Sequence, residues 1–226
     1  MSSNLTAPTT LPFSIDDVRL TIDDFSVHPD AQPNLVVQLA SIIEPLNLAA
    51  LFPQSQALEI ELGCGDASFL VEYARRHPGR NFIGVERLLG RIRKLDRKGR
   101  RAGLANLRGV RIESSYFLAY LLPPHSVSAL HVYFPDPWPK KRHHKKRLVN
   151  EQFPKIAGAA LAPGGVVYLR TDDEDYFAQM TGVFEAGTDF RKIETPSGLV
   201  ELPTDFEKEF HGRGINTLRA AYRFVE

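Results

Sequence analysis

The chain has 226 residues, 43% apolar and 24% charged, which suits a globular protein with one substantial hydrophobic core. The formal net charge of +1 hides a segregation: residues 87–111 carry ten Lys/Arg against the single acid Asp96, residues 140–147 carry six against none, and the remainder is left at about −14. Cys64 is the only cysteine, which excludes an intramolecular disulfide and a cysteine-based zinc cluster and suits a reducing compartment. With no 18-residue apolar run and no basic-then-apolar leader, neither a membrane span nor a secretory address is predicted, and a cytoplasmic protein is expected.

Residues 1–32, rich in Ser, Thr, Pro and Asp, read as an extended or partly disordered arm, and residues 33–226 as one domain. Leu35, Leu39, Ile42 and Ile43 recur at helical spacing, predicting a lead-in helix from Pro33 to Leu51 that Pro45 interrupts. Strands and helices then alternate. "ALEIEL" (57–62), "NFIGVE" (81–86), "VRIES" (110–114), "SALHVYF" (128–134) and "GVVYLRT" (165–171) read as strands, each followed by a helical segment. "FRKIET" and "TLRAAYRFV" are two further extended runs with no good helix between them. The pattern predicts an α/β fold: a seven-stranded, mostly parallel sheet covered on both faces and ending in an antiparallel pair. That is the Rossmann-like architecture of class I methyltransferases, an analogy of fold alone.

"LEIELGCGDASFL" occupies the turn between the first of these strands and its helix, where a nucleoside-binding loop belongs. Gly63 and Gly65 let backbone approach a ligand, but Ser68 stands where a GxGxxG dinucleotide fingerprint needs its third glycine. Glu86 ends the next strand, where an acid can accept from both ribose hydroxyls. Glu61 directs a negative charge into the same crevice; it would repel a pyrophosphate but suits a sulfonium and an ammonium, as in S-adenosylmethionine. The competing reading of both acids is strand ends facing water. After the third strand, Glu113 or Ser114 is placed to hydrogen-bond an adenine, and the register between them is open.

"YFPDPWPKKRHHKKR" (133–147) leaves the carboxyl edge of the sheet. Pro135, Pro137 and Pro139 restrict the backbone, so Asp136 and Trp138 are expected to be held rigidly, the ring to stack on a flat substrate and the carboxylate to accept from its N–H groups. The plain alternative is a rigid turn with a buried Trp and a solvated Asp. His143 and His144 lack the further ligands a metal site needs. Arg87, Arg91, Lys94, Lys98 and Arg101 share one face of the basic helix beside the apolar stripe Leu88, Ile92 and Leu95. Two basic elements beside one pocket point to phosphate contacts.

From residue 57 onward, "ELGCG", "FIGVE", "YFPDPWPKKRHHKKRLV", "LRTD" and "TDFEKEF" resemble the bacterial tRNA (guanine-N7-)-methyltransferases. The PDPWPKKRH string is the specific one. The resemblance implies transfer of a methyl group from S-adenosylmethionine to N7 of a guanine in tRNA. It implies donor binding by Glu61, Gly63, Gly65, Glu86, Glu113 or Ser114, and Asp136 as the active-site acid that also borders the donor. It further implies tRNA contacts by Lys140, Asp172, Thr204, Asp205, Phe206 and Glu207. No metal, membrane or obligatory protein partner is implied, and either a monomer or a homodimer is compatible. Two departures stand out: Ala67 replaces a third loop glycine, and Arg19 is the only Lys/Arg before residue 57. N7 carries no proton, so Asp136 is expected to position the base rather than deprotonate it. Two alternatives remain: methylation of an exocyclic amine of DNA or RNA, and a noncatalytic RNA-binding module on the same fold.

Overall fold

A computed structural model describes residues 34–225. The arm expected over residues 1–32 lies outside the described residues. Eight strands form one sheet in the order β1-β4-β3-β2-β5-β6-β8-β7. They are β1 (Val36–Val37), β2 (Ala57–Leu62), β3 (Arg80–Glu86), β4 (Leu107–Arg111), β5 (Val127–Tyr133), β6 (Leu161–Thr171), β7 (Phe190–Ile193) and β8 (Leu218–Phe224). The first six are parallel, and β8 lies antiparallel between β6 and β7. The helices are α1 (Leu48–Leu51), α2 (Ser68–Arg76), α3 (Leu89–Arg101), α4 (Ser114–Tyr116), α5 (Phe153–Ala160), α6 (Glu174–Glu185), α7 (Ser197–Val200) and α8 (Asp205–Gly212). Among the described residues no helix is long and apolar enough to cross a membrane.

The sheet order sets the location of the site. β2 pairs with β3 on one side and β5 on the other, so the order in which strands are added reverses between β2 and β5 and leaves a crevice outside their carboxyl ends. Side chains alternate between faces. Leu58, Ile60 and Leu62 enter a core with Val85, Val110, Phe117, Leu130 and Val132, each fully buried Leu or Ile contributing about 1.5–3 kcal/mol. The opposite face of β2 presents Glu59 and Glu61, both buried, against His131 and Tyr133 of β5 and beneath the α2 side chains Phe69 and Tyr73. A parallel sheet covered on both sides thus carries one polar seam.

Five sequence expectations are corrected. The lead-in helix shrinks to α1, because Val36–Val37 instead pair with Gly109–Val110 along the open edge of β4. That pairing makes eight strands rather than seven. The strand read at 110–114 is shifted to Leu107–Arg111, so Glu113 lies beyond it and caps α4. Between β7 and β8, where no helix was expected, stand α7 and α8. Thr204 and Glu207 form a reciprocal capping box at the start of α8, which stabilises a helix too short to persist alone. On α3, Ile92 and Leu95 are fully buried as the stripe requires, but Leu88 precedes the helix and is 48% exposed.

Packing under the first loop is tight. A Cβ built on Gly84 of β3 would come within 2.6 Å of Leu95 Cδ1 and 2.8 Å of both Cys64 Sγ and Leu70 Cδ2. Gly84→Ala is expected to lower stability by about 1–3 kcal/mol, read from the denaturant midpoint, since three buried side chains must shift together.

Candidate active site

The loop after β2 turns through two left-handed glycines, Gly63 at φ +79° and Gly65 at φ +54°. Ala67 follows at φ +59° with 1% exposure, so an L-residue occupies a conformation that glycine adopts without strain. The amides of Gly63 and Cys64 both donate to Val85 O at 2.9 Å, tying the loop to β3. Space lies open above Gly63 and Gly65, where a Cβ would meet nothing within 4 Å. Lys98 of α3 reaches back into the loop and donates to Asp66 Oδ2 at 2.7 Å and Ser68 Oγ at 2.5 Å. That internal contact removes Lys98 from the exposed basic face predicted for it.

The loop borders a cleft of about 260 Å³, which unites Glu61, Gly63, Gly65, Thr204, Asp205 and Phe206 of the sequence-predicted residues. Phe69, Arg91, Lys94, Tyr133, Phe134 and Glu209 also line it, and sequence reading did not assign them there. Glu61 is 4% exposed, and its Oε2 is buried without a hydrogen-bond partner. Burial holds its carboxyl well above the usual carboxylate range; Arg170 opposes the shift, and Asp66 and Glu86 reinforce it. Glu86, also buried, accepts from the Leu88 amide at 2.8 Å, with Arg91 Nη1 3.6 Å from its other oxygen. Glu113 accepts from the amides of Ser115 at 3.0 Å and Tyr116 at 2.8 Å, and Ser114 opens the helix beside it.

α8 supplies the opposite wall, and a buried ion network fixes it. Arg170, 1% exposed at the end of β6, donates to Glu207 Oε2 at 2.7 Å, Leu202 O at 3.1 Å and Leu199 O at 2.5 Å. Glu207 is fully buried, and its other oxygen accepts from Arg219 of β8 at 2.6 Å. Burial pushes the Glu207 carboxyl up, but the Thr204 amide and the Arg170 guanidinium outweigh it and hold the group below its ordinary value. With no exposed surface, Glu207 orients the segment from Thr204 to Phe206. Phe206 itself is 48% exposed, with ring centroids 5.9 Å from Phe134 and 6.1 Å from Phe210. The T-x-x-E spacing of "TDFE" was the readable signal for this helix.

Asp136 lies past the end of β5, exposed and outside the lining of the cleft. Its Oδ1 accepts from the Trp138 amide at 3.1 Å, an Asx turn that holds the carboxylate. Phe134 at φ +48° and Trp138 at φ +45° bracket it in left-handed conformations costing about 1–3 kcal/mol each. The Trp138 ring is already engaged, with Lys146 Nζ 4.8 Å from its centroid and His143 edge-on at 5.7 Å. Residues 141–146 wind as a 3-10 turn in which Lys141, Arg142, Lys145 and Lys146 are exposed and His143 and His144 half-buried. Arg147 is different: 2% exposed, it donates to Pro137 O, Gln179 Oε1 and Asp175 Oδ2 at 2.7–2.8 Å and pins the Pro-rich turn to α6. Lys140 and Asp172 are exposed at the same edge of the sheet. Among the described residues no cluster of His, Cys, Asp and Glu could hold a metal ion.

Residues 55–223 match a family model described as a putative methyltransferase. The tRNA (guanine-N(7)-)-methyltransferase of Alkalilimnicola ehrlichii is 35% identical over 172 residues, 76% of this chain and 73% of that one. That of Nitrosococcus oceani is 35% identical over 178 residues, 77% of this chain and 75% of its own. In fold, the chain is similar to the 16S rRNA methyltransferase KamB, with a TM-score of 0.56 at 19% identity over 81% of this chain and 95% of that one. The methyltransferase Kmr, an antibiotic-resistance protein, aligns with a TM-score of 0.55 at 17% identity over 80% and 92%. On the family model and on relatives that share this sequence over most of both chains, the protein belongs to the tRNA (guanine-N(7)-)-methyltransferase family.

Proposed function

We propose that this cleft binds S-adenosylmethionine and directs its methyl group to N7 of a guanine in tRNA. The observation that carries the donor reading is Glu61 Oε2, a buried carboxylate oxygen without a partner, beside two glycines that leave the cleft open. A buried polar atom left unpaired costs about 1–3 kcal/mol, which a cationic ligand relieves. When bound, S-adenosylmethionine supplies an electrophilic methyl group on a sulfonium. Glu61 faces the positive charge of the amino-acid end, and Gly63 and Gly65 admit its backbone. Glu86 accepts from the ribose hydroxyls. Because the Glu113 carboxylate is committed to capping α4, Ser114 is the better adenine contact.

On the acceptor side, Asp136 keeps Oδ1 on the Trp138 amide and offers Oδ2 to guanine N1–H and the 2-amino group. The N7 lone pair lies in the ring plane and needs no deprotonation, so orientation and stabilisation of the developing positive charge are what the carboxylate contributes. Exposed Phe206 offers the base a stacking face, a role that suits it better than the already engaged Trp138. Thr204 and Asp205 contact the nucleotide directly, whereas Glu207 acts by holding them. The target base leaves its stack to reach the pocket. Lys140, Asp172 and the 3-10 turn grip the surrounding tRNA, with Arg91 and Lys94 of α3 and Arg87 just before it adding charge. A single cysteine and a tRNA acceptor fit the reducing cytoplasm.

With isotopically labelled S-adenosylmethionine and bulk tRNA, Asp136→Ala is expected to lose about 10²-fold in label transfer while donor affinity is unchanged. Near-normal transfer would remove Asp136 from this role. Replacing Lys141, Arg142, Lys145 and Lys146 together by Ala should raise KM for tRNA and flatten the log–log salt dependence by about 1 for each phosphate that is no longer neutralised. An unchanged slope would take the 3-10 turn off the tRNA-binding surface.

The Glu61 shift has a sign that can be measured. Below its raised value the empty cleft holds Glu61 protonated, and a bound cation favours the carboxylate, so binding expels a proton. Donor affinity is therefore expected to rise with pH through that raised value and level off above it. Calorimetry in buffers of different ionisation enthalpy should register the release, and Glu61→Gln should both weaken binding and remove the pH dependence. Proton uptake would reverse the assignment.

A further inference from the structure

We infer that Glu59, His131 and Tyr133 form a buried relay that positions the Tyr133 ring and, through it, the Arg170 guanidinium beside the donor cleft. The inference rests on the reading of the cleft as the S-adenosylmethionine site. His131 is fully buried in the middle of β5, and none of the roles above uses it. Its Nε2 lies 2.8 Å from Glu59 Oε2, and its Nδ1 lies 2.8 Å from the Tyr133 hydroxyl. Glu59 is 2% exposed and is also bound by Arg80. A purely structural core had no need of this chain, since apolar side chains of similar volume pack without the desolvation of a carboxylate.

Counting protons fixes its direction. Glu59 feels a large upward push from burial, but the His131 and Arg80 contacts outweigh it and keep the group ionised and accepting. Burial pushes the Tyr133 phenol well up, so it keeps its proton. The arrangement that satisfies every group has Nε2–H donating to Glu59 and the Tyr133 O–H donating to Nδ1. Any other leaves a buried proton without an acceptor. The hydrogen bond then sets the torsion of a ring that lines the cleft on one side. Over that ring lies the Arg170 guanidinium, 4.1 Å from its centroid, and this guanidinium is both the counter-charge to Glu61 and the donor to Glu207. Phe69 and Tyr73 of α2 and Tyr168 of β6 enclose the imidazole at centroid distances of 5.3–5.9 Å, which denies it other partners. His131 and Glu59 are thus positioning residues, acting on the donor through Tyr133.

The test compares His131→Leu, His131→Gln, Tyr133→Phe and the double variant His131→Leu/Tyr133→Phe, using S-adenosylhomocysteine as the calorimetric probe. Tyr133→Phe keeps the ring and its packing but deletes the hydroxyl. It is expected to raise Kd about 5- to 10-fold, with His131→Leu similar and the double variant no worse than either. His131→Gln, whose amide can donate to Glu59 and accept from Tyr133, should restore most of the affinity. In the wild type, 15N spectra should show the imidazole protonated at Nε2 and bare at Nδ1. Additive losses, wild-type affinity in folded Tyr133→Phe, or the opposite tautomer would each overturn the relay. If the wild-type protein itself fails to bind the probe, the reading of the cleft falls and the relay with it.

Discussion

The guanidinium of Arg170 sits where two walls of the cleft meet and contacts both. On one side it lies over Tyr133 and offsets Glu61; on the other it takes Glu207, the Leu199 carbonyl of α7 and the Leu202 carbonyl between α7 and α8. Buried ion pairs of this kind add little net stability, because desolvation consumes most of the Coulombic gain. Removing one partner is another matter, since it strands a charge where water cannot reach and costs about 3–5 kcal/mol. The network is therefore better understood as a device for register. It selects one position of α8, a helix of eight residues, relative to the loop of Gly63 and Gly65.

Around this fixed centre the polar groups divide into those already satisfied and those held ready. Glu207, Glu59 and Arg147 have their charges matched by protein groups and set geometry. Glu61 Oε2 has no partner, and Phe206 leaves nearly half its surface in solvent. Of the four non-glycine residues with left-handed backbone among the described residues, Ala67, Phe134 and Trp138 lie next to a proposed contact, and His125 alone sits before β5. Such conformations persist only where the surrounding structure over-determines them. Here the Val85 carbonyl, the Arg170 carbonyl and the Arg147 side chain supply that constraint.

Much of this was legible in the sequence because it depends on local rules. The alternation of strands with helices, the glycine turn after "LEIEL" and the acids Glu61 and Glu86 follow from periodicity and from where parallel sheets leave a crevice. The lead-in helix failed because the spacing of Leu35, Leu39 and Ile42 is a local signal, whereas the open edge of β4 that captures Val36 and Val37 is not visible in one dimension. α8 was missed although its capping box was spelled out, since a short helix with modest apolar content looks like a connection between strands. Arg147 was hidden inside a run of cations that all look alike until one is buried. The Glu59–His131–Tyr133 contact was beyond reach for a plainer reason: residues 72 apart meet only after the sheet is assembled.

The claim on which all of this turns is that the cleft delivers a methyl group to a ring nitrogen of guanine in tRNA. The most direct measurement is the position of the methyl group itself: tRNA methylated by the purified protein, then cleaved chemically at N7-methylguanine and mapped on the chain. Cleavage at a guanine, weakened about 10²-fold when Asp136→Ala replaces the wild type, is the expected result. Methyl label recovered on an exocyclic amine, with no N7-dependent cleavage, would contradict it.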